Sequence, residues 1–152
     1  MSTDPFARVS LGDERIIQKT ISESDVYLYA GIVGDFHPNH VNAPYAEEKL
    51  GARVVHGALL PGFVSRCTVE LLGERLSPPG YAAQSFSIKC VAPVFIGDTI
   101  SVRVRITDLQ PERRKVIMEA EISNQHGTLC ALGDTVVKVL RNKPETSQRE
   151  IQ

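Results

Sequence analysis

The segment between Gly57 and Leu72 constrains the fold more than any other. Leu59, Leu60, Phe63, Val64, Leu71 and Leu72 leave few polar positions there, and Pro61 falls in the first turn, where its missing N–H is tolerated. The spacing predicts a helix too apolar to stand in water, which other elements must cover. The second half of the chain supplies the cover. After the break Ser77-Pro78-Pro79-Gly80 the pattern turns β-like over residues 81–91, 99–109, 115–123 and 128–140, with turns at Gly97-Asp98, 111–114 and 124–127. Four strands in succession suggest an antiparallel meander wrapped on one long helix, an α+β domain, although periodicity does not settle the strand order.

The first half is helical and loop-rich. Residues 15–21 read as an opening strand, and Ser22 with Asp25 three positions on has the form of a capping box that starts a helix through Val33, ended by Gly34. Residues 34–42 are polar and contain Pro38, which predicts a loop, followed by a short helix near 45–50 with Gly51 as its stop. Residues 1–141 are expected to form one domain, and 142–152, polar with Pro144, a disordered tail.

Charge and cysteine usage exclude several roles. Seventeen Lys+Arg against eighteen Asp+Glu lack the basic excess that a phosphate backbone demands, so no nucleic-acid partner is expected. No stretch approaches the roughly 20 apolar residues of a membrane span, and the N-terminus has no basic region followed by an apolar one; a cytoplasmic protein is expected. Cys67, Cys90 and Cys130 lie at least 23 residues apart, which removes any Cys-x-x-Cys motif and predicts buried apolar fillers.

The loop Gly34-Asp35-Phe36-His37-Pro38-Asn39-His40 gathers one carboxylate and two imidazoles around a proline. Asp35 can act as a general base, and His40 can hold or deliver a proton near neutrality, with a water held between them. Spacing alone equally allows Asp35 to cap the next turn while the histidines stay solvated. A metal site lacks a third ligand in this loop, so none is expected. Further on, Val54-Val55-His56-Gly57 precedes the apolar helix. The free N–H groups of its first turn and the helix dipole could stabilise an oxygen gaining negative charge, or Gly57 could serve packing alone.

Gly34-Asp35-x-x-Pro38-x-His40, Val55-His56-Gly57, Ser65, and Gln84-Ser85-Phe86 through Pro93-Val94-Phe95-Ile96-Gly97-Asp98 together resemble the MaoC-like (R)-specific enoyl-CoA hydratases. The similarity runs from about Ser22 to Leu140. It implies a hotdog fold, in which a curved antiparallel sheet wraps a central helix and an overhanging segment carries the active site. It also implies a catalytic dyad of Asp35 and His40 and an oxyanion donor at the Gly57 N–H. Ser65, His56 and His37 join Gly57 in the oxyanion and substrate-binding set, with orientation of the helix start as the other role open to His56. His37 departs from the family's usual Asn, a change that bears on substrate range more than on the reaction. The implied activity is reversible addition of water to a trans-2-enoyl-CoA, with no metal or other cofactor, an acyl-CoA thioester as partner and a homodimer as the working unit. An acyl-carrier-protein dehydratase, a hotdog thioesterase and a non-catalytic acyl-CoA-binding domain are the alternatives.

Overall fold

The apolar segment is helical and lies where its composition requires. In the computed structural model, which describes residues 4–142, a 3-10 turn at Gly57–Leu59 runs directly into helix α4, Leu60–Leu72. Leu60, Val64, Cys67, Thr68, Leu71 and Leu72 are buried, while Arg66, Val69 and Glu70 face solvent. The Thr68 hydroxyl is buried at little cost, because it donates to the Val64 carbonyl at 2.9 Å.

Five antiparallel strands form one sheet: β1 (Glu14–Thr20), β2 (Tyr81–Cys90), β3 (Thr99–Gln110), β4 (Lys115–Ser123) and β5 (Leu129–Val139). Burial alternates along β3 and β4, so Ile100, Val102, Val104 and Ile106 point inward beside Val116, Met118, Ala120 and Ile122. This period of two sends one apolar face into the core shared with α4. Each large aliphatic side chain buried there contributes roughly 1.5–3 kcal/mol.

The spatial order is β1-β3-β4-β5-β2, which corrects the expected meander: only β3, β4 and β5 follow one another as hairpins, and β2 pairs with β5 at the edge. Connection length explains this. Residues 111–114 and 124–128 suit tight antiparallel turns, whereas residues 91–98 form a longer link that carries the chain from one side of the sheet to the other. Cys90, expected to be buried, is exposed, because it ends this edge strand; Cys67 and Cys130 are buried.

The overhanging segment is built by capping. The Ser22 side chain accepts from the Asp25 N–H at 3.2 Å and the Asp25 carboxylate accepts from the Ser22 N–H at 2.8 Å, starting α1 (Glu23–Val33). Gly34, left-handed at φ 79°, ends it. The expected loop 34–42 contains a further helical turn, α2 (Pro38–Val41), because Pro38 suits a first turn and His37 Nδ1 accepts from the Asn39 N–H at 3.2 Å. Helix α3 (Ala43–Leu50) comes next, capped by Asn42 and stopped at Gly51. Among the described residues no helix is long and apolar enough to cross a membrane. The expected tail, beyond Asn142, lies outside the described residues.

Candidate active site

Asp35 comes directly after the left-handed Gly34, and its Oδ1 accepts from the His37 N–H at 3.2 Å, so the carboxylate is held at the mouth of the α1–α2 turn with its side chain about half exposed (51 %). His40 lies on α2, half-buried, with Nδ1 2.7 Å from the Val54 carbonyl oxygen. A carbonyl only accepts, so Nδ1 carries the hydrogen, and in the neutral ring the lone pair is on Nε2.

His56 stands behind this pair. It is buried at 1 % exposure, its Nε2–H donates to the Asp35 backbone carbonyl at 2.9 Å, and its ring lies on that of His40 with centroids 3.7 Å apart and planes 23° apart. The edge of Tyr29 closes the other side at 4.9 Å. Asp35, His40 and His56 thus bring donor atoms within 4.8 Å of one another, a third group that the loop alone did not offer. One nitrogen of each imidazole bonds a backbone carbonyl, which fixes both rings and leaves the cluster room to hold a small polar group beside the Asp35 carboxylate.

The distant Pro93-to-Asp98 motif explains how Val54 is placed. Residues 53–55 are tied to residues 94–96 by Val55 N–H to the Val94 carbonyl at 2.8 Å and Ile96 N–H to the Arg53 carbonyl at 3.1 Å. Asp98 accepts from the Phe95 N–H at 2.8 Å, and Gly97 takes φ 99°, which a side chain would resist. From the opposite side the Arg53 guanidinium donates to Glu23 and, at 2.8 Å, to the Tyr27 hydroxyl on α1. The hydrogen bond from Arg53 holds the Glu23 carboxyl below its usual range.

Gly57, His40, Leu50, Leu60 and Cys90 border a cleft of about 420 Å³, closed along one wall by residues 91–94. The Gly57 N–H belongs to the first helical turn, where no intrahelical acceptor exists. A Cβ at Gly57 would stand 3.2 Å from Cys90 Sγ, so glycine avoids a tight contact at this border of the cleft. Of the residues singled out from sequence, His40 and Gly57 share this cleft and Asp35 adjoins it through the histidine cluster. Ser65 is half-buried on α4, outside the cleft lining; His56 is behind the dyad; and His37 is exposed, its Nδ1 capping α2.

The MaoC like domain family matches residues 11–127. The chain belongs to that family. It is 43% identical over 133 residues to an (R)-specific enoyl-CoA hydratase of Rhodospirillum rubrum, covering 87% of this chain and 84% of the relative. It is 35% identical to a 3-hydroxybutyryl-CoA dehydratase of Methylorubrum extorquens, covering 87% and 77%. Among solved structures, an R-hydratase from Pseudomonas aeruginosa superposes with a TM-score of 0.79 at 25% identity, covering 95% of this chain and 96% of that one. The sheet-on-helix arrangement of this MaoC-like chain is the hotdog fold.

Three participants in the MaoC-like site are not legible in the sequence. The Val54 carbonyl has no side-chain signature. Cys90 could be placed only by knowing that β2 ends beside Gly57. Tyr29 carries one usable signal, its position about one helical turn before the capping glycine of α1.

Proposed function

We propose that the chain is an (R)-specific enoyl-CoA hydratase that adds water reversibly to a trans-2-enoyl-CoA to give the (R)-3-hydroxyacyl-CoA. The observation that carries the reading is that Asp35 and His40 bring donor atoms within 4.8 Å of each other beside a cleft lined by His40 and Gly57. The thioester carbonyl accepts from that N–H, which draws electrons from the double bond and makes Cβ electrophilic. The water donates one hydrogen to His40 Nε2, which orients it, and the other to the Asp35 carboxylate. As the water O–H bond breaks, its proton goes to Asp35, oxygen bonds to Cβ, and the π electrons move to the enolate held at Gly57. Asp35 returns the proton to Cα and regains its charge. One oxyanion donor of this kind is typically worth about 2.7–4 kcal/mol of barrier, and the acid–base step about 10²–10⁴-fold.

Apolar Leu50, Val54, Leu60 and Val91 suit an acyl chain, and no cofactor beyond the CoA of the substrate takes part. The working unit is a homodimer joined along β2. What supports this is that β2 is a ten-residue edge strand, exposed along most of its length, with Phe86 39 % exposed. An edge so long, with Lys89 as its single charged side chain, invites a second strand.

The decisive experiment follows enoyl absorbance of crotonyl-CoA and longer enoyl-CoA substrates, with product stereochemistry. Hydration to the R product by the wild-type protein, lost in Asp35→Asn, is the expected result. Free CoA thiol without hydration, an S product, or full activity in Asp35→Asn overturns the reading.

A further inference from the structure

His56 satisfies none of the roles a cleft residue would have, yet it is the most constrained polar side chain of the site. It is buried at 1 % exposure, outside the cleft lining, and its Nδ1 has no hydrogen-bond partner. A buried polar atom left unpaired costs stability, and a hydrocarbon ring would avoid that cost. Its other contacts explain why an imidazole stands here. Nε2–H donates to the backbone carbonyl of Asp35, and the ring face covers His40.

His40 needs such a neighbour. Its single hydrogen bond to Val54 fixes one ring nitrogen but leaves the ring free to swing about that bond, which would sweep Nε2 away from the water. A second ring stacked 3.7 Å away removes the swing. His56 can serve as the stop because it is itself fixed on three sides: by the Asp35 carbonyl, by the Tyr29 edge at 4.9 Å, and by the backbone, where the Leu59 N–H donates to its carbonyl as the helix begins. The same residue precedes Gly57 in the chain. One side chain therefore touches the backbone of the base and the ring of the water-orienting histidine, and is covalently joined to the oxyanion donor.

We infer that His56 is a positioning residue, a clamp that holds the ring plane of His40, so that Nδ1–H stays on the Val54 carbonyl, and the backbone of Asp35, without touching substrate. The inference rests on the hydratase reading for its kinetic consequence, but its structural half can be tested without turnover.

Two substitutions separate the contacts. His56→Phe keeps a ring on His40 and removes the donor to Asp35; His56→Gln keeps a donor and removes the ring. Misplacement of a catalytic group by about 1 Å can cost about 10²-fold. The expected result is that both variants fold, as judged by circular dichroism and thermal unfolding, and lose about tenfold or more in kcat, with KM for crotonyl-CoA little changed. Nitrogen NMR on histidine-labelled protein supplies the second readout. Wild-type His40 should show the Nδ1–H tautomer, and His56→Gln should shift it toward the mixture of a free imidazole. Should His56→Phe fail to fold, His56→Gln and the wild-type tautomer still decide. Wild-type kcat in either folded variant, loss confined to KM, or a His40 spectrum unmoved in His56→Gln while kcat falls overturns the clamp. A wild-type protein that hydrates no enoyl-CoA overturns the proposed function instead, while the His40 spectra continue to test the clamp.

Discussion

His40 spends its Nδ1–H on the carbonyl of Val54 at 2.7 Å, and this one bond dictates what the other ring nitrogen can do. In the neutral ring Nε2 then accepts, and in the proposed mechanism it takes one hydrogen of the water whose other hydrogen goes to the Asp35 carboxylate. Groups that act on one shared water work as a unit, and their losses do not add. Asp35→Ala and His40→Ala are each expected to lower kcat for crotonyl-CoA hydration by about 10²–10⁴-fold. The double variant should fall little below the weaker single variant, as read from kcat for all four proteins. Losses that multiply would show that the two residues act on separate steps.

Gly57 supplies a test of backbone approach. Its added Cβ would meet Cys90 Sγ at 3.2 Å, a contact that a short side chain can relieve by moving a few tenths of an ångström. Gly57→Ala should therefore cost only about 1 kcal/mol of stability, the low end of overpacking. The same methyl would project at the border of the cleft, so kcat/KM should fall much more than stability does. Adding Cys90→Ala should restore the denaturant midpoint without restoring kcat/KM, which separates the packing of this glycine from its service as a donor.

The three thiols should divide by burial. Cys90 is exposed, whereas burial pushes the Cys67 thiol from an ordinary 9.0 up to about 11, and burial raises that of Cys130 as well. An aromatic disulfide reagent at pH 8 is expected to modify one thiol in the native protein and three after unfolding. Linkage gives the accompanying pH dependence. A thiol whose folded value is raised contributes its stability in full below the unfolded value and loses it as pH rises through the folded one. Between about pH 9 and 11 the wild-type protein should lose stability faster with pH than Cys67→Ala, measured by urea denaturation at each pH.

Much of this fold is legible from side chains alone. The Ser22–Asp25 capping box, the stops at Gly34 and Gly51 and the four later strands appear within a residue or two of their expected bounds, because each is written in local chemistry. Where expectation and structure part, the deciding interaction is long-range or made by the backbone. The pairing of β2 with β5 depends on where residues 91–98 run, and the tautomer of His40 depends on a carbonyl fourteen residues away. The stack of His56 on His40 is hidden for a similar reason: sixteen positions separate the two histidines, and backbone-mediated ties, Val54 N–H to the Asn39 carbonyl at 3.0 Å and His40 to the Val54 carbonyl, bring them together.

The edge strand itself depends on one glycine. Gly133 on β5 faces Ile88 on β2, and a Cβ there would fall 1.8 Å from the Ser87 carbonyl oxygen and 3.1 Å from the Ile88 Cα, all of it backbone that cannot swing aside. Gly133→Ala must push β2 off β5, and with it Cys90 and the adjoining cleft wall. A loss of about 4 kcal/mol or failure to fold is expected, at the extreme of single substitutions. Gly31 provides the contrast. It lies exposed inside α1 with nothing within 4 Å of an added Cβ, so Gly31→Ala should stabilise the protein by about 0.5–1 kcal/mol through helix propensity. Urea midpoints of the two variants should move in opposite directions, and a tolerated Gly133→Ala would mean that β2 is held by something other than its ladder with β5.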